Sequence, residues 1–212
     1  MADELTKARA RRRFGRWAST YEHDRRSRFN AIPQQRALAA LVLQPGDRFL
    51  DVGCGTGAAV RAAADVVERA VGVDLAPEMI ERARQLAAGI ERVEFVVGDS
   101  ERLPFPDATF TAVLCTASFH HYPNPRQALA EMARIVAPAG RLALADGTSD
   151  LRVARAADAI MRLLDRSHVR LYRTHELLDL IREAGFDSVA VEHLWDGGYA
   201  VVTAHRPAQR ES

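Results

Sequence analysis

Short apolar segments alternate with longer amphipathic segments through the middle of the chain. The apolar segments are bounded by turn residues, which is typical of strands buried on both faces of a parallel sheet. The pattern predicts strands at residues 48–52, 70–74, 93–97, 110–115 and 141–145. Between them it predicts helices at residues 58–67, 77–88 and 124–136. The alternation indicates an α/β domain whose sheet is covered by helices on both sides.

The carboxyl-terminal third departs from this alternation. Two helices are predicted in succession, at residues 152–165 and 174–184, the second capped by Thr174. Two strands follow closely, at residues 188–194 and 199–204. The Asp196-Gly197 pair between them is a strong hairpin signal. The sheet is therefore expected to end in an antiparallel pair.

The first 36 residues are a basic segment ahead of this domain, with ten Lys or Arg against four Asp or Glu. Such a segment either forms a solvated helix or attracts phosphates or anionic lipid, and we favour the solvated helix. Its aromatic residues Phe14, Trp17 and Tyr21 recur at helical spacing, a stripe that more often packs onto a domain than onto a ligand. A further helix is predicted to begin at Pro33 and to run to residue 43.

Composition adds little to this picture. The chain has 212 residues, of which 48% are hydrophobic and 27% charged, and its formal net charge is +1. These values are typical of a globular protein and indicate no particular partner. The two cysteines, Cys54 and Cys115, cannot form a disulfide framework, which favours a reducing compartment. No apolar stretch has the length of a membrane helix or a secretory signal, so we expect a cytoplasmic protein without integral membrane association.

A glycine-rich turn follows the first predicted strand, in the segment FLDVGCGTGAAV. The glycines at positions 53, 55 and 57 let the backbone turn sharply and let a ligand approach the main chain. The helix that follows offers unpaired N–H groups to an acceptor. Asp74 ends the next strand 21 residues after Gly53, where a carboxylate can accept both hydroxyls of a ribose.

These features alone fit a nicotinamide-dependent enzyme as well, and three observations argue against one. Asp51 lies two residues before Gly53, where it would repel a pyrophosphate but suit an ammonium group. Asp99 and Ser100 come directly after the third strand, where polar groups can contact an adenine edge. A chain of 212 residues also leaves little room for a separate substrate domain.

The motifs resemble those of the small class I S-adenosylmethionine-dependent methyltransferases, including enzymes that methylate quinone precursors or natural products. LDVGCGTG matches the glycine motif of that family, VGVDLAPEMIERAR its acidic second strand, and the block from Gly98 to Leu144 its middle region. The resemblance covers residues 36–146 and, more loosely, THELLDLIREAGF. It implies a Rossmann-like three-layer sandwich with a seven-stranded, mostly parallel sheet whose last strand is antiparallel.

The resemblance also implies S-adenosyl-L-methionine as cofactor and assigns residues to its parts. The methionine end is assigned to Asp51, Gly53, Gly55 and Thr56. Asp74 is assigned to the ribose, Asp99 and Ser100 to the adenine, and Thr116 to the region beside the sulfonium. Residues 36–212 are expected to form the cofactor-binding domain. Residues 1–35 match only loosely and are expected to form a helical lid, in which Tyr21 contacts the cofactor.

Two histidines after the fourth strand are the candidate catalytic residues. His120 and His121 lie at the carboxyl edge of the sheet, where ligands bind in such folds. We expect His121 to lie nearest the acceptor and to remove or guide its proton. The alternative is that the pair only shapes the loop before Pro123. The remaining histidines at positions 23, 168, 175, 193 and 205 are scattered, so we expect them at the surface or at helix ends and expect no metal site.

The acceptor is not identified by the sequence. A small-molecule or lipophilic acceptor is expected, with no nucleic acid as partner. A nucleic-acid methyltransferase using the basic segment is disfavoured, because TASFHHYP stands where an Asn-Pro-Pro-Tyr motif would and the chain has no Pro-Cys pair. A non-catalytic relative that binds the cofactor and serves a regulatory or structural role is a further alternative. The oligomeric state, including a homodimer, is left open.

Overall fold

The computed structural model describes residues 2–165 and 167–208. Their strands form a seven-stranded sheet in the order β3-β2-β1-β4-β5-β7-β6. The strands are β1 Arg48–Val52, β2 Arg69–Asp74, β3 Val93–Val97, β4 Phe110–Thr116, β5 Val136–Gly147, β6 Asp187–Leu194 and β7 Tyr199–His205. The helices are α1 Ala2–Trp17, α2 Arg25–Ala40, α3 Ala58–Ala63, α4 Pro77–Leu86, α5 Pro125–Ile135, α6 Arg152–Leu164 and α7 Thr174–Glu183.

The sheet is parallel except for β7, which pairs antiparallel with both β5 and β6. The predicted Rossmann-like sheet and its antiparallel end are confirmed. The central strand β1 pairs with β2 on one side and β4 on the other, so the strand order reverses beside it. In open α/β sheets, ligands bind in the crevice outside the carboxyl ends of the strands at such a reversal.

Alternate side chains of the strands enter two apolar cores, one on each face of the sheet. Leu50 and Val52 of β1 lie in one core, with Leu129 of α5 and Leu177 of α7. Phe49, which directly precedes Leu50, lies in the other core, which includes residues of α2, α3 and α4. The strands are therefore covered on both faces, which accounts for their continuous apolar character.

The amino-terminal half of α2 was not predicted. The helix begins at Arg25, not at Pro33, which lies inside it. A proline removes one internal hydrogen bond from a helix, but Pro33, Ala37 and Leu41 form a buried stripe along one face of α2 and of the turn that ends it. Packing of that stripe accounts for the continuity. The expected boundary between residues 35 and 36 thus falls inside a continuous helix.

Other elements also differ from the predictions in their extent or in the role of a residue. Helix α3 ends at Ala63, short of residue 67. Strand β5 begins at Val136 directly after α5, so the Pro138-Ala139-Gly140 segment is part of the strand and not a separating turn. Thr174 is the first residue of α7 and not its cap. Its backbone N–H and its hydroxyl both donate to the Asp150 carboxylate.

No helix in the described part of the chain combines the length and apolarity needed to cross a membrane. Both cysteines are buried and free.

Candidate active site

A cavity of about 800 Å³ opens at the carboxyl ends of the central strands. It is called the first cavity below. Val52, Asp74 and Thr116, the last residues of β1, β2 and β4, all line it. The other predicted site residues in its wall are Tyr21, Gly53, Gly55, Asp99, Ser100 and His121. The structure therefore brings most of the predicted site together at the strand-order reversal.

The glycine turn forms the floor of this cavity. The backbone N–H groups of Gly53 and Cys54 both donate to the carbonyl of Val73, at 2.8 and 3.0 Å. Gly53 has φ +77°, and a Cβ there would lie 2.6 Å from the Ser118 hydroxyl oxygen. Gly57 has φ +79°, and a Cβ there would lie 2.4 Å from the Phe95 ring. Only glycine permits both the left-handed backbone and these close approaches.

Asp51 is completely buried beside this turn. Neither of its carboxylate oxygens has a hydrogen-bond partner within the described residues. Burial, together with the negative charge of Asp74, raises the pKa of Asp51 to about 8. A buried carboxylate without a partner is costly, so this group is suited to a cationic ligand that supplies the missing donors.

Asp74 holds the glycine turn as well as facing the cavity. Its two carboxylate oxygens accept hydrogen bonds from the backbone N–H groups of Gly55, at 3.0 Å, and Ala76, at 2.8 Å. Burial raises the pKa of Asp74 above its ordinary value, against the opposing effect of these hydrogen bonds. Part of the acceptor capacity of the carboxylate is thus used by the protein itself, and the rest is available to a ligand in the cavity.

Asp99, which follows β3, forms an ion pair with the amino-terminal helix α1. The ammonium group of Lys7 in α1 lies 2.7 Å from a carboxylate oxygen of Asp99 and 2.6 Å from one of Glu101. The other Asp99 oxygen accepts the backbone N–H of Glu101 at 2.9 Å. Lys7 also lines the first cavity. Lys7 is the only lysine of the sequence, but its residue type and position alone do not predict these contacts.

The predicted aromatic stripe covers one side of the cavity. The Tyr21 ring lies edge-on to Trp17, with centroids 4.8 Å apart. Phe14 and Tyr21 pack against a buried group that includes Ala76 and Met79. Burial, with the nearby charges of Asp74 and Asp51, raises the pKa of Tyr21 to about 12. The stripe therefore packs onto the domain and lines the cavity at the same time.

Three predicted site residues do not line the first cavity: Asp51, Thr56 and His120. Asp51 is completely buried, and Thr56 is buried two residues before α3 begins. Thr56 lines a separate cleft of about 730 Å³, to which Thr116 also contributes. The Thr116 hydroxyl accepts a hydrogen bond from the Gln34 side chain at 3.3 Å.

A second cavity of about 990 Å³ lies beside the first. Phe14, Tyr21, Ala117 and His121 line both cavities. The remaining wall of the second cavity combines four rings, Trp17, Phe29, His120 and His168, with Met161 and the polar or charged side chains of Arg13, Arg25, Asn30 and Asp165. His121 thus stands at the boundary between the two spaces, and His120 faces only the second.

The two predicted catalytic histidines are held by different partners. His121 Nδ1 lies 2.7 Å from the carbonyl oxygen of Ser167. Burial, reinforced by neighbouring His120, holds the pKa of His121 well below its ordinary value, so its ring is neutral at pH 7. His120 Nδ1 lies 2.7 Å from a carboxylate oxygen of Asp146, whose other oxygen accepts the His120 backbone N–H at 3.0 Å.

The expectation that His168 lies at the surface or at a helix end is wrong. His168 is buried, and its Nε2 lies 2.7 Å from a carboxylate oxygen of Asp158 in α6. The segment after α6 folds back so that the backbone N–H groups of Val169 and Arg170 donate to the His120 carbonyl. The His168 ring centroid is 5.2 Å from that of His120. His121 and His168 are 47 positions apart in sequence, so no local spacing could indicate this grouping.

Comparison with known proteins matches this chain to methyltransferases. Residues 50–144 match a family model described as a methyltransferase domain. An uncharacterized methyltransferase, YcgJ, of Bacillus subtilis is 38% identical over 127 residues, which are 58% of this chain and 50% of the relative. A demethylmenaquinone methyltransferase of Clavibacter sepedonicus is 29% identical over 201 residues, which are 85% of this chain and 81% of that relative.

The fold also matches a solved structure. The crystal structure of YcgJ from Bacillus subtilis superposes with a TM-score of 0.73 at 22% identity, and the match covers 84% of this chain and 99% of that one. At this identity the likeness establishes the fold alone. In the sequence comparison, the chain spans about half the length of the Bacillus relative.

Proposed function

We propose that this chain, whose residues 50–144 match a methyltransferase domain, transfers a methyl group from S-adenosylmethionine to a small-molecule or lipophilic acceptor. One observation carries the proposal: beside the glycine turn, neither carboxylate oxygen of the buried Asp51 has a hydrogen-bond partner among the residues that the structure describes. An α-ammonium group would supply both charge and donors at this position. A pyrophosphate would instead add negative charge next to Asp51 and Asp74.

The residues around the first cavity fit the other parts of the cofactor. Gly53 and Gly55 present a close backbone to the methionine end, with Thr56 supporting the same turn. Asp74 would accept hydrogen bonds from the ribose hydroxyls, and Asp99 with Ser100 would contact the adenine. Tyr21 and Thr116 would border the sulfonium end, where the two cavities adjoin. The cofactor, when bound, supplies a methyl group already activated on a positively charged sulfur.

The chain itself would position the acceptor and exclude water from it. The second cavity is the proposed acceptor space, because it shares a wall with the first and is lined by aromatic rings. Rings of this kind suit a flat, unsaturated acceptor. The Clavibacter relative, named for its action on demethylmenaquinone, supports an acceptor of small-molecule size.

His121 is the proposed residue nearest the acceptor. Its Nδ1 is engaged with the Ser167 carbonyl, so the proton is on Nδ1 and the lone pair of Nε2 is available. A neutral imidazole with a free lone pair can accept a proton from an acceptor hydroxyl or ring carbon. His120, held by Asp146, would contact the acceptor from the second cavity only.

The alternatives have less support. A nucleic-acid methyltransferase would need a surface for the polymer, and the second cavity is a ring-lined space suited to a small molecule. A non-catalytic relative would not need His121 at the junction of two cavities. We also propose a cytoplasmic location, which the two buried free thiols support.

The test is a transfer assay with radiolabelled S-adenosylmethionine and separate acceptor panels: hydroxylated quinones and phenols, small amines, and transfer RNA. The proposal predicts label transfer to a member of the small-molecule panels and none to RNA. Asp51→Asn should abolish this transfer, and Asp179→Asn on the exposed face of α7 serves as its matched control. Transfer to RNA alone, or tight cofactor binding with no transfer to any panel, would contradict the proposal.

A further inference from the structure

We propose that His120, His121 and His168 form a binding site for a divalent first-row transition-metal ion such as Zn²⁺. One ligand nitrogen from each ring lies within 4.8 Å of one from each of the other two. All three rings line the second cavity. The site goes beyond the proposed function, in which His121 acts as a proton acceptor and His168 has no part.

Each of the three rings already has one nitrogen fixed by an outer partner. Nδ1 of His120 lies 2.7 Å from Asp146, Nδ1 of His121 lies 2.7 Å from the Ser167 carbonyl, and Nε2 of His168 lies 2.7 Å from Asp158. A metal-ligating histidine almost always donates its other ring N–H to a carboxylate or a carbonyl, which fixes its tautomer. The nitrogens left for a metal are Nε2 of His120, Nε2 of His121 and Nδ1 of His168.

The outer partners are themselves anchored. Asp146 also accepts the backbone N–H of His120 at 3.0 Å. Asp158 also accepts the backbone N–H of Leu171 at 2.7 Å and pairs with Arg162. The first contact joins the turn after β4 to β5, and the second joins α6 to the segment after it. The backbone bonds from Val169 and Arg170 to His120 join that segment to the turn. The three imidazoles therefore lose little freedom when they converge on an ion.

The spacing and charge of the cluster suit such an ion. Zinc–nitrogen distances of 2.0–2.1 Å place tetrahedral ligands about 3.4 Å apart, so the rings would have to draw closer together around the ion. The carboxylates of Asp146 and Asp158 behind the rings would offset the positive charge. Imidazole ligands favour zinc, copper, nickel or iron over magnesium or calcium.

Metal binding and proton transfer exclude each other at His121, because both use the Nε2 lone pair. The metal-bound protein would therefore be a second state, in which His121, at the wall between the two cavities, cannot accept a proton. For this reason metal binding is tested on the protein alone, without an acceptor and without turnover.

The experiment titrates tag-free, metal-stripped protein with Co²⁺, followed by visible absorption, and with Zn²⁺, followed by calorimetry. Two variants keep the outer hydrogen bond and remove only the ligand nitrogen. In His121→Asn the side-chain amide can still donate to the Ser167 carbonyl, and in His168→Gln it can still donate to Asp158. His175→Gln, at an exposed position of α7, is the matched control. Thermal melting checks that each variant is folded.

We expect one ion per chain in the wild type and in the control, and affinity lowered by about 100-fold or more in each cluster variant. X-ray absorption of the zinc-loaded wild type needs no variant and should show three imidazole nitrogens at about 2.0–2.1 Å and no sulfur. Absence of binding, sulfur ligation, or equal affinity in the cluster variants would overturn the site. Binding of S-adenosylhomocysteine to the metal-free protein is measured in parallel. Failure of the metal-free protein to bind S-adenosylhomocysteine would count against the proposed function and not against the metal site.

Discussion

The buried carboxylate of Asp51 leads to a quantitative prediction for the substitution Asp51→Asn. Its pKa is about 8 in the folded protein, against 3.8 ordinarily. Each tenfold change in proton affinity corresponds to about 1.4 kcal/mol. Folding at pH 7 must protonate this group, which the unfolded chain leaves ionised, at a cost of about 4 kcal/mol. Asparagine removes this cost, because its amide does not titrate.

The sign of the effect follows from the raised pKa. The contribution of Asp51 to the free energy of unfolding is most favourable below pH 4 and is lost as the pH rises through 8. Relative to Asp51→Asn, the wild type should therefore lose about 4 kcal/mol of stability between pH 4 and pH 7. Denaturant unfolding of both proteins across this range measures the difference.

Asp47→Asn is a control of opposite sign. Asp47, directly before β1, is also buried, but its pKa is lowered by hydrogen bonds from Thr111 and Gln44 and by Arg141, which outweigh its burial. Its stabilisation is present above the ordinary pKa and is lost only as the pH falls through the lowered value. The wild type and Asp47→Asn should therefore differ by a constant amount above about pH 5. A difference between the wild type and Asp51→Asn that stays flat from pH 4 to pH 7 would refute the reasoning about Asp51.

Three further predictions concern the site. Asp74→Ala should weaken S-adenosylhomocysteine binding by on the order of 2–4 kcal/mol. It should also lower the melting temperature, because the backbone N–H of Gly55 loses its acceptor. Unchanged affinity in calorimetry would mean that the ribose binds elsewhere. Protease should cut within residues 1–30 of the free protein and more slowly with S-adenosylhomocysteine, and equal rates would count against a lid. His121→Ala should lower kcat by about 10²-fold with cofactor affinity nearly unchanged. Wild-type turnover in His121→Ala and in His120→Ala would mean that the protein positions the acceptor without a histidine general base.

The strands could be predicted closely from the sequence, because each is a short buried apolar run bounded by turn residues. The errors arose where local signals competed with packing. Pro33 is a common helix start, yet α2 continues through it because Ala37 and Leu41 beyond it are buried in the core. The Pro138-Ala139-Gly140 segment is a common turn, yet it joins β5 because α5 leads directly into that strand.

The site could be predicted only where topology constrains it. Asp51, Asp74 and Thr116 belong to parallel strands, so the sheet itself brings the carboxyl ends of these strands, and with them the three residues, to one edge. Lys7 and His168 reach the site through tertiary contacts with Asp99 and Asp158, 92 and 10 residues away in sequence. Neither contact has a local pattern that a single sequence could display.

The central claim is that Asp51 and the glycine turn bind S-adenosylmethionine and not a nicotinamide dinucleotide. Calorimetric titration of the wild-type protein with S-adenosylhomocysteine, and separately with NADH and NADPH, tests this claim most directly. We expect 1:1 binding of S-adenosylhomocysteine at micromolar concentration and no heat of binding with either dinucleotide. Tight binding of NADH or NADPH with no heat from S-adenosylhomocysteine would contradict it.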